Sequence, residues 1–166
     1  MLLQLNIQNF AIVRSLDIDW QQGMTTITGE TGAGKSIAID ALGLCLGDRA
    51  VTNVVRPNCK KAELAATFDT ADNKFAKKWL KKHDMLLDNE CILRRVISAE
   101  GRSKAYINGS QVPLAQLKEI GQLLINIHGQ HDHQLIVKAH EQRNILDAYA
   151  SHQHLLDAVK YYYHQW

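Results

Sequence analysis

The sequence predicts an α/β fold, a mixed sheet with an antiparallel portion organised around a phosphate-binding loop, and three stretches predict it. Gly29 to Ser36, GETGAGKS, fits G-x-x-x-x-G-K-[ST] at every fixed position, between the strand-like run MTTIT and the helix-like run IAIDALGLCL. Glu90 to Val112 carries strand-like runs separated by turn residues, the pattern of antiparallel hairpins. Leu123 to Ile127, LLINI, is an apolar run of the length of a buried strand.

The chemistry of the loop accounts for its spacing. Gly29, Gly32 and Gly34 carry no Cβ, so the chain can take positive φ angles and turn its backbone N–H groups, those of Glu30, Thr31 and Ala33 included, onto a phosphate chain. Lys35 then sets a compact positive charge against the β- and γ-phosphates, and Ser36 offers its hydroxyl to a bridging Mg²⁺. The helix opening at Lys35 adds the positive end of its dipole. A glycine-rich turn fits four fixed positions by chance about once in a few hundred chains of this length. The flanking strand and helix patterns weigh against that bland alternative and for a nucleotide phosphate site with Mg²⁺.

Composition bounds the rest. With 166 residues, 46% apolar and 22% charged, the chain suits one globular domain with its own core. A net charge of +2 excludes a strongly basic nucleic-acid binder, so any DNA contact must come from local patches. Cys45, Cys59 and Cys91 are odd in number and form no C-x-x-C pair, which fits free thiols in a reducing compartment. The start MLLQLNIQNF has no basic n-region, and no segment holds eighteen uninterrupted apolar residues. A soluble cytoplasmic protein without membrane contact is expected.

In chain order, Leu3, Leu5 and Ile7 alternate with polar residues as a half-buried strand, and Val13 to Trp20 repeats the pattern. Gln21 to Gly23 turn into the strand that feeds the loop. Ile37, Ala38, Ala41, Leu42, Cys45 and Leu46 form one helical face, ended by Gly47. Asp48 to Asn58 is a polar loop whose Arg49 and Arg56 either reach a phosphate or stay solvated. Lys61 to Thr70 is a strand. Asn73 to His83 follows as a short helix with Phe75, Ala76, Trp79 and Leu80 inward and Lys74, Lys77, Lys78, Lys81 and Lys82 outward, a basic face that suits DNA phosphates or is merely solvated. Asn108-Gly109 returns the antiparallel part to a short Gln111-Val112 strand, and Pro113 opens a helix that Gly121 closes.

The LLINI strand delivers His128, Gln130, His131, Asp132 and His133 to a loop. Three histidines in six residues invite a metal reading, but H-x-x-H-x-H lacks the i, i+4 helical spacing of a zinc protease and has no cysteine partner. From Ala139 the chain reads as helical, with Ile145, Tyr149, His152, Leu156, Val159, Tyr163 and Trp166 at steps of four and three. That is either a short coiled-coil seam interrupted by His152 or an ordinary packed helix. Large apolar residues still face outward at Trp166, as in half of a larger unit. No boundary is evident before about Ser151, which divides a lobe over 1–150 from a segment over 151–166.

NIQNFAIV, GETGAGKS, ALGLCLGDRA, LRRVISAEGRSKAYING and INIHGQHDHQ, in that order, resemble the N-terminal half of the ATPase head in the RecN family of bacterial DNA repair proteins, relatives of the SMC family. The likeness runs from Met1 to about Tyr149. It implies an ABC-type ATP-binding half-head, with Gly29 to Ser36 as its phosphate loop and Gln130 as the glutamine approaching Mg²⁺ and the attacking water. It implies that Arg56 reaches nucleotide or DNA and that residues 151–166 root a coiled-coil arm. The implied partners are ATP, DNA, the chain's own C-terminal half-head and a second head, at the nucleoid in the cytoplasm.

No apolar run ending in Asp-Glu and no LSGG-type signature is present in the sequence. In the family both lie in the C-terminal half, so this chain alone is expected to hydrolyse ATP weakly or not at all. Two other readings share the loop: the ATPase subunit of an ABC membrane transporter, and a non-enzymatic module whose nucleotide only stabilises the fold. A transporter continues from its glutamine into a compact helical subdomain; the seam beyond Tyr149 favours an arm.

Overall fold

Alternation along the sequence becomes a single layer of strands, with helices packed against it. The computed structural model describes residues 1–28, 35–50, 54–125, 127, 139–150 and 152–165. Strands β1 (Leu2–Phe10), β2 (Val13–Asp19), β3 (Lys61–Asp69), β4 (Glu90–Ser98), β5 (Ser103–Ile107) and β6 (Ser110–Val112) form one sheet in the order β2-β1-β3-β4-β5-β6. Every neighbouring pair is antiparallel. The helices are α1 (Lys35–Cys45), α2 (Lys74–Lys82), α3 (Leu114–Leu124), α4 (Ala139–Ala150) and α5 (Gln153–His164). The chain divides into two compact units, 1–126 and 127–166.

Period-two burial decides the sheet's inner face. Leu5 and Ile7 pair with Ile18 and Leu16, and Ala62, Leu64, Ala66 and Phe68 of β3 are fully buried. Cys91, Leu93 and Ile97 of β4, with Ala105 and Ile107 of β5, continue that face. Small residues on the central strand, Ala62 and Ala66, and on α1, Ala38 and Ala41, are buried where the helix packs across β1, β3 and β4. Helix α3 covers β5, and α2 packs on α3. On the other face Glu63 accepts hydrogen bonds from Lys61 Nζ at 3.2 Å and Arg94 Nη1 at 2.7 Å, while Arg94 lies over the Tyr106 ring. Burial alone would raise the Glu63 carboxyl, but hydrogen bonds and charge from Lys61 and Arg94 outweigh it and hold it below its ordinary value.

The turns follow their residue types. Asn108 and Gly109 both take positive φ, 46° and 84°, as a tight hairpin turn requires. Asn108 also ties the turn down: its Oδ1 accepts from Ile92 N at 2.7 Å and its Nδ2 donates to Met85 O at 2.7 Å.

Five expectations are corrected. Met24 to Thr28 forms no strand: Met24 is 96% exposed, and no described strand pairs with this run, so its backbone has no ladder to define it. The described residues of LLINI form no strand either, since Leu123 and Leu124 end α3 and Ile125 is its extended C-cap. A short apolar run carries no periodicity that separates a buried helix end from a strand. Among the described residues every pairing in the sheet is antiparallel, in keeping with the α/β half-head the sequence predicts. Gly121 lies inside α3 rather than at its end: a Cβ there would come within 2.7 Å of the Leu46 carbonyl oxygen. Across the same junction Gly47, at φ 105°, approaches the Lys118 Cα so closely that a Cβ would sit 2.8 Å away. Two glycines thus let the end of α1 and the middle of α3 meet backbone to backbone. Phe75 points outward, because the inward stripe of α2 is Ala76 and Leu80. The C-terminal helical reading breaks at His152, the N-cap of α5, whose Nε2 lies 3.0 Å from Asp147 Oδ1.

The three thiols differ in a way that chemistry can read. Burial pushes Cys45 and Cys91 up to about 12, Arg95 opposing it weakly at Cys45, so both remain protonated thiols at neutral pH; Cys59 is partly exposed. Iodoacetamide at pH 8 is expected to alkylate Cys59 alone in the folded chain and all three after denaturation, counted by mass spectrometry. Native labelling of Cys45 would contradict the packing of α1 on the sheet.

Candidate nucleotide-binding site

The site begins with how α1 is held. Lys35 is the first residue of α1 and Ser36 is exposed in its first turn. No acidic residue occupies that turn, so the positive end of the helix keeps its attraction for an anion. Ala38, Ala41, Leu44 and Cys45 are buried against the sheet, which fixes the helix and leaves Ser36 in solvent. A Mg²⁺-bound triphosphate fits these features: an exposed hydroxyl and a helix start with no acidic residue in its first turn.

The other end of α1 is gripped by a residue that motif reasoning passed over. Arg95 of β4 is 1% exposed, and its Nη1 donates to the carbonyls of Leu44 and Asp48, each at 3.3 Å. Its Nη2 donates to Ser103 Oγ at 2.9 Å, while Nε has no partner. Burial lowers the Arg95 pKa, and the nearby Cys45 and Asp48 partly offset that. The cation sits where the carbonyl end of α1 carries partial negative charge. A signal existed in the sequence: alternation of Leu93, Arg95 and Ile97 points Arg95 inward with its apolar neighbours.

Arg56 lies in a segment stitched to the β1–β2 turn. Ala11 N donates to Val54 O at 2.8 Å, Arg56 N donates to Asn9 O at 2.9 Å, and Phe10 and Val55 form a bridge. Asn9 and Ala11 pay for the turn with positive φ values of 52° and 51°. Arg56 itself is half-buried, and no carboxylate among the described residues pairs with it. The remaining expected site residues, Gly29, Glu30, Thr31, Gly32, Ala33, Gly34 and Gln130, lie outside the described residues, as do His128, His131 and His133. Among the described residues no group of three or more His, Cys, Asp or Glu side chains could hold a metal ion. No helix among them is long and apolar enough to cross a membrane.

Comparison with known proteins bears on family and fold. A family profile described as AAA domain matches residues 4–153. The DNA repair protein RecN of Vibrio cholerae is 57% identical over 166 residues, covering the whole of this chain and 30% of that protein. RecN of Haemophilus influenzae is 52% identical, again over the whole chain and 30% of its own length, and RecN of Bacillus subtilis is 42% identical over 90% of the chain and 26% of its own. The chain thus spans about a third of the length of these curated relatives, and what it resembles is their N-terminal part. Among solved structures, an SMC head bound to the C-winged helix domain of ScpA superposes with a TM-score of 0.68 at 22% identity, over 89% of this chain and 50% of that one. RecF with ATP superposes with a TM-score of 0.57 at 18% identity, over 97% of this chain and 42% of that one. The fold is that of an SMC-type ATPase half-head, and with nine-tenths of its length inside the family profile the chain belongs to the AAA domain family.

Proposed function

We propose that this chain is the ATP-binding N-terminal half of a RecN-like ATPase head acting in DNA double-strand break repair and recombination. The observation that carries the reading is the start of α1, with Lys35 and exposed Ser36 in an acid-free first turn, in a chain that matches RecN proteins along its whole length. Lys35 would neutralise charge on the β- and γ-phosphates, and the backbone N–H groups of Gly29 to Gly34 would line them. Ser36 and Gln130 would hold Mg²⁺, which supplies charge neutralisation at the transferring phosphoryl group when bound. Gln130 would also orient the attacking water, and Arg56 would reach nucleotide or DNA from its seat beside the β1–β2 turn.

Residues 1–150 form the lobe in this reading, and 151–166 the root of an arm. Hydrolysis would need the Asp-Glu element and signature of the C-terminal half-head and pairing with a second head, at the nucleoid in the cytoplasm. A solved structure of similar fold comes from work on ATP-driven dimerisation of SMC ATPases, which favours such pairing.

The test compares this chain alone with the chain joined to the segment that follows it in its longer relatives. Both should bind ATP with Mg²⁺ saturably, while phosphate release stays near background for the chain alone and rises by at least about tenfold in the joined protein. Absence of saturable ATP binding by folded samples of both would overturn the reading.

A further inference from the structure

Helix α2 concentrates charge that the rest of the chain does not. Five of its nine residues are lysine and none is acidic, although the whole chain has 19 basic and 17 acidic residues. At 3.6 residues per turn, Lys81, Lys74, Lys78 and Lys82 fall within an arc of about 100°, opposite buried Ala76 and Leu80. All four are exposed, and together they run ~12 Å along the axis. The fifth, Lys77, is turned to the backbone, its Nζ donating to Ala71 O at 2.9 Å.

No carboxylate among the described residues neutralises this stripe, and only Lys81 and Lys82, in the last turn, gain from the helix dipole. None of the four has a carboxylate within 4 Å among the described residues, and the nearby Glu119 accepts instead from Trp79 Nε1 at 3.2 Å. Lys74 and Lys78, and Lys78 and Lys82, are like-charge i, i+4 pairs, an arrangement that weakens a helix. Lys74 in the first turn also opposes the helix dipole. The helix is nonetheless firmly seated. Asn73 caps it through Ala76 N at 2.9 Å and reaches across to Leu123 O of α3 at 2.6 Å. A rigid mount therefore presents a repulsive row of ammonium groups, which an external polyanion would relieve.

We propose that the Lys74, Lys78, Lys81 and Lys82 stripe of α2 is a docking surface for the phosphate backbone of duplex DNA, gripped without regard to base sequence. The proposal rests on the DNA-repair reading above and assigns that partner a place on this chain. The chemistry of the stripe selects among polyanions. Lysines supply point charges suited to phosphates, whereas base-edge recognition draws on arginine, asparagine and glutamine. A membrane surface would call for an extended apolar face beside the charges, and α2 offers one exposed large apolar side chain, Phe75.

The test measures duplex affinity across a salt series for this chain, for a quadruple glutamate variant (Lys74→Glu, Lys78→Glu, Lys81→Glu, Lys82→Glu) and for the matching quadruple glutamine variant. Loss of four phosphate contacts should flatten the slope of log Kd against log salt by about 3 to 4 units, equally for two unrelated sequences. At about 0.1 M salt the affinity should fall by at least tenfold, with ATP binding unchanged. If the glutamate variant unfolds, the glutamine variant decides by the same readout. Unchanged slope and affinity in a folded variant would overturn the docking surface while leaving the repair-ATPase reading intact. Wild-type chain that fails to bind duplex even at low salt, yet binds ATP, would overturn the surface without touching the nucleotide site. Binding of polyglutamate or anionic vesicles, but not duplex, in a lysine-dependent manner would reassign the stripe to another partner and likewise overturn it.

Discussion

Lys35→Ala in this chain is expected to raise the Kd for ATP with Mg²⁺ by roughly a hundredfold or more, about 3 kcal/mol, measured by calorimetric titration. In the proposed reading the loss has one cause: the ammonium group that Lys35 would set against the β- and γ-phosphates is gone, and the backbone N–H groups and dipole left behind would not replace its full charge. Folding should be spared. A positive charge in the first turn of a helix opposes the helix dipole, so its removal is neutral or slightly stabilising. A melting temperature that stays put or rises while ATP binding vanishes therefore separates the loss of a ligand contact from the loss of structure. Lys35→Arg should not restore binding, because a planar fork with five donors does not replace a compact point charge against the phosphates. If Lys35→Ala bound ATP as well as the parent chain, the nucleotide reading of the loop would be wrong.

The order in which such residues became readable follows from range. The loop pattern around Lys35 is local, because phosphate chemistry demands glycines, lysine and a hydroxyl at fixed steps along the backbone, and the start of α1 at Lys35 appears where that pattern puts it. The β4–β5–β6 meander was equally legible, since alternating burial and Asn108-Gly109 turn chemistry are properties of neighbouring residues. What the sequence hid depends on partners distant along the chain. Met24 to Thr28 has a strand's composition but no ladder among the described residues, and pairing is not written in composition. Gly121 looked like a helix terminator because the Leu46 backbone that presses against it lies 75 residues earlier. Arg95 was hidden by its type: a charged residue reads as exposed, and only the alternation of its strand says otherwise.

Arg95 yields the second large effect, and its size depends on what replaces it. Arg95→Ala should destabilise the chain by roughly 3 to 5 kcal/mol, because it opens a cavity at the α1–sheet junction and strips the Leu44 and Asp48 carbonyls and Ser103 Oγ of their donor. For a chain of this size that corresponds to a drop in Tm of about 10 °C. Arg95→Met keeps most of the volume and removes a buried charge whose Nε already lacks a partner, so the relief of desolvation offsets part of the lost hydrogen bonding. Its cost should be about 1 to 2 kcal/mol, less than half that of alanine, read from denaturant unfolding of the two variants side by side. Equal losses for Met and Ala would mean that the charge and its hydrogen bonds, rather than filled space, secure the end of α1. Negligible loss for both would mean that the guanidinium is not enclosed between α1 and β4. Either departure bears on the proposed nucleotide site, since α1 is a single rod and whatever holds its carbonyl end also fixes where its first turn, which begins at Lys35 and exposes Ser36, is held.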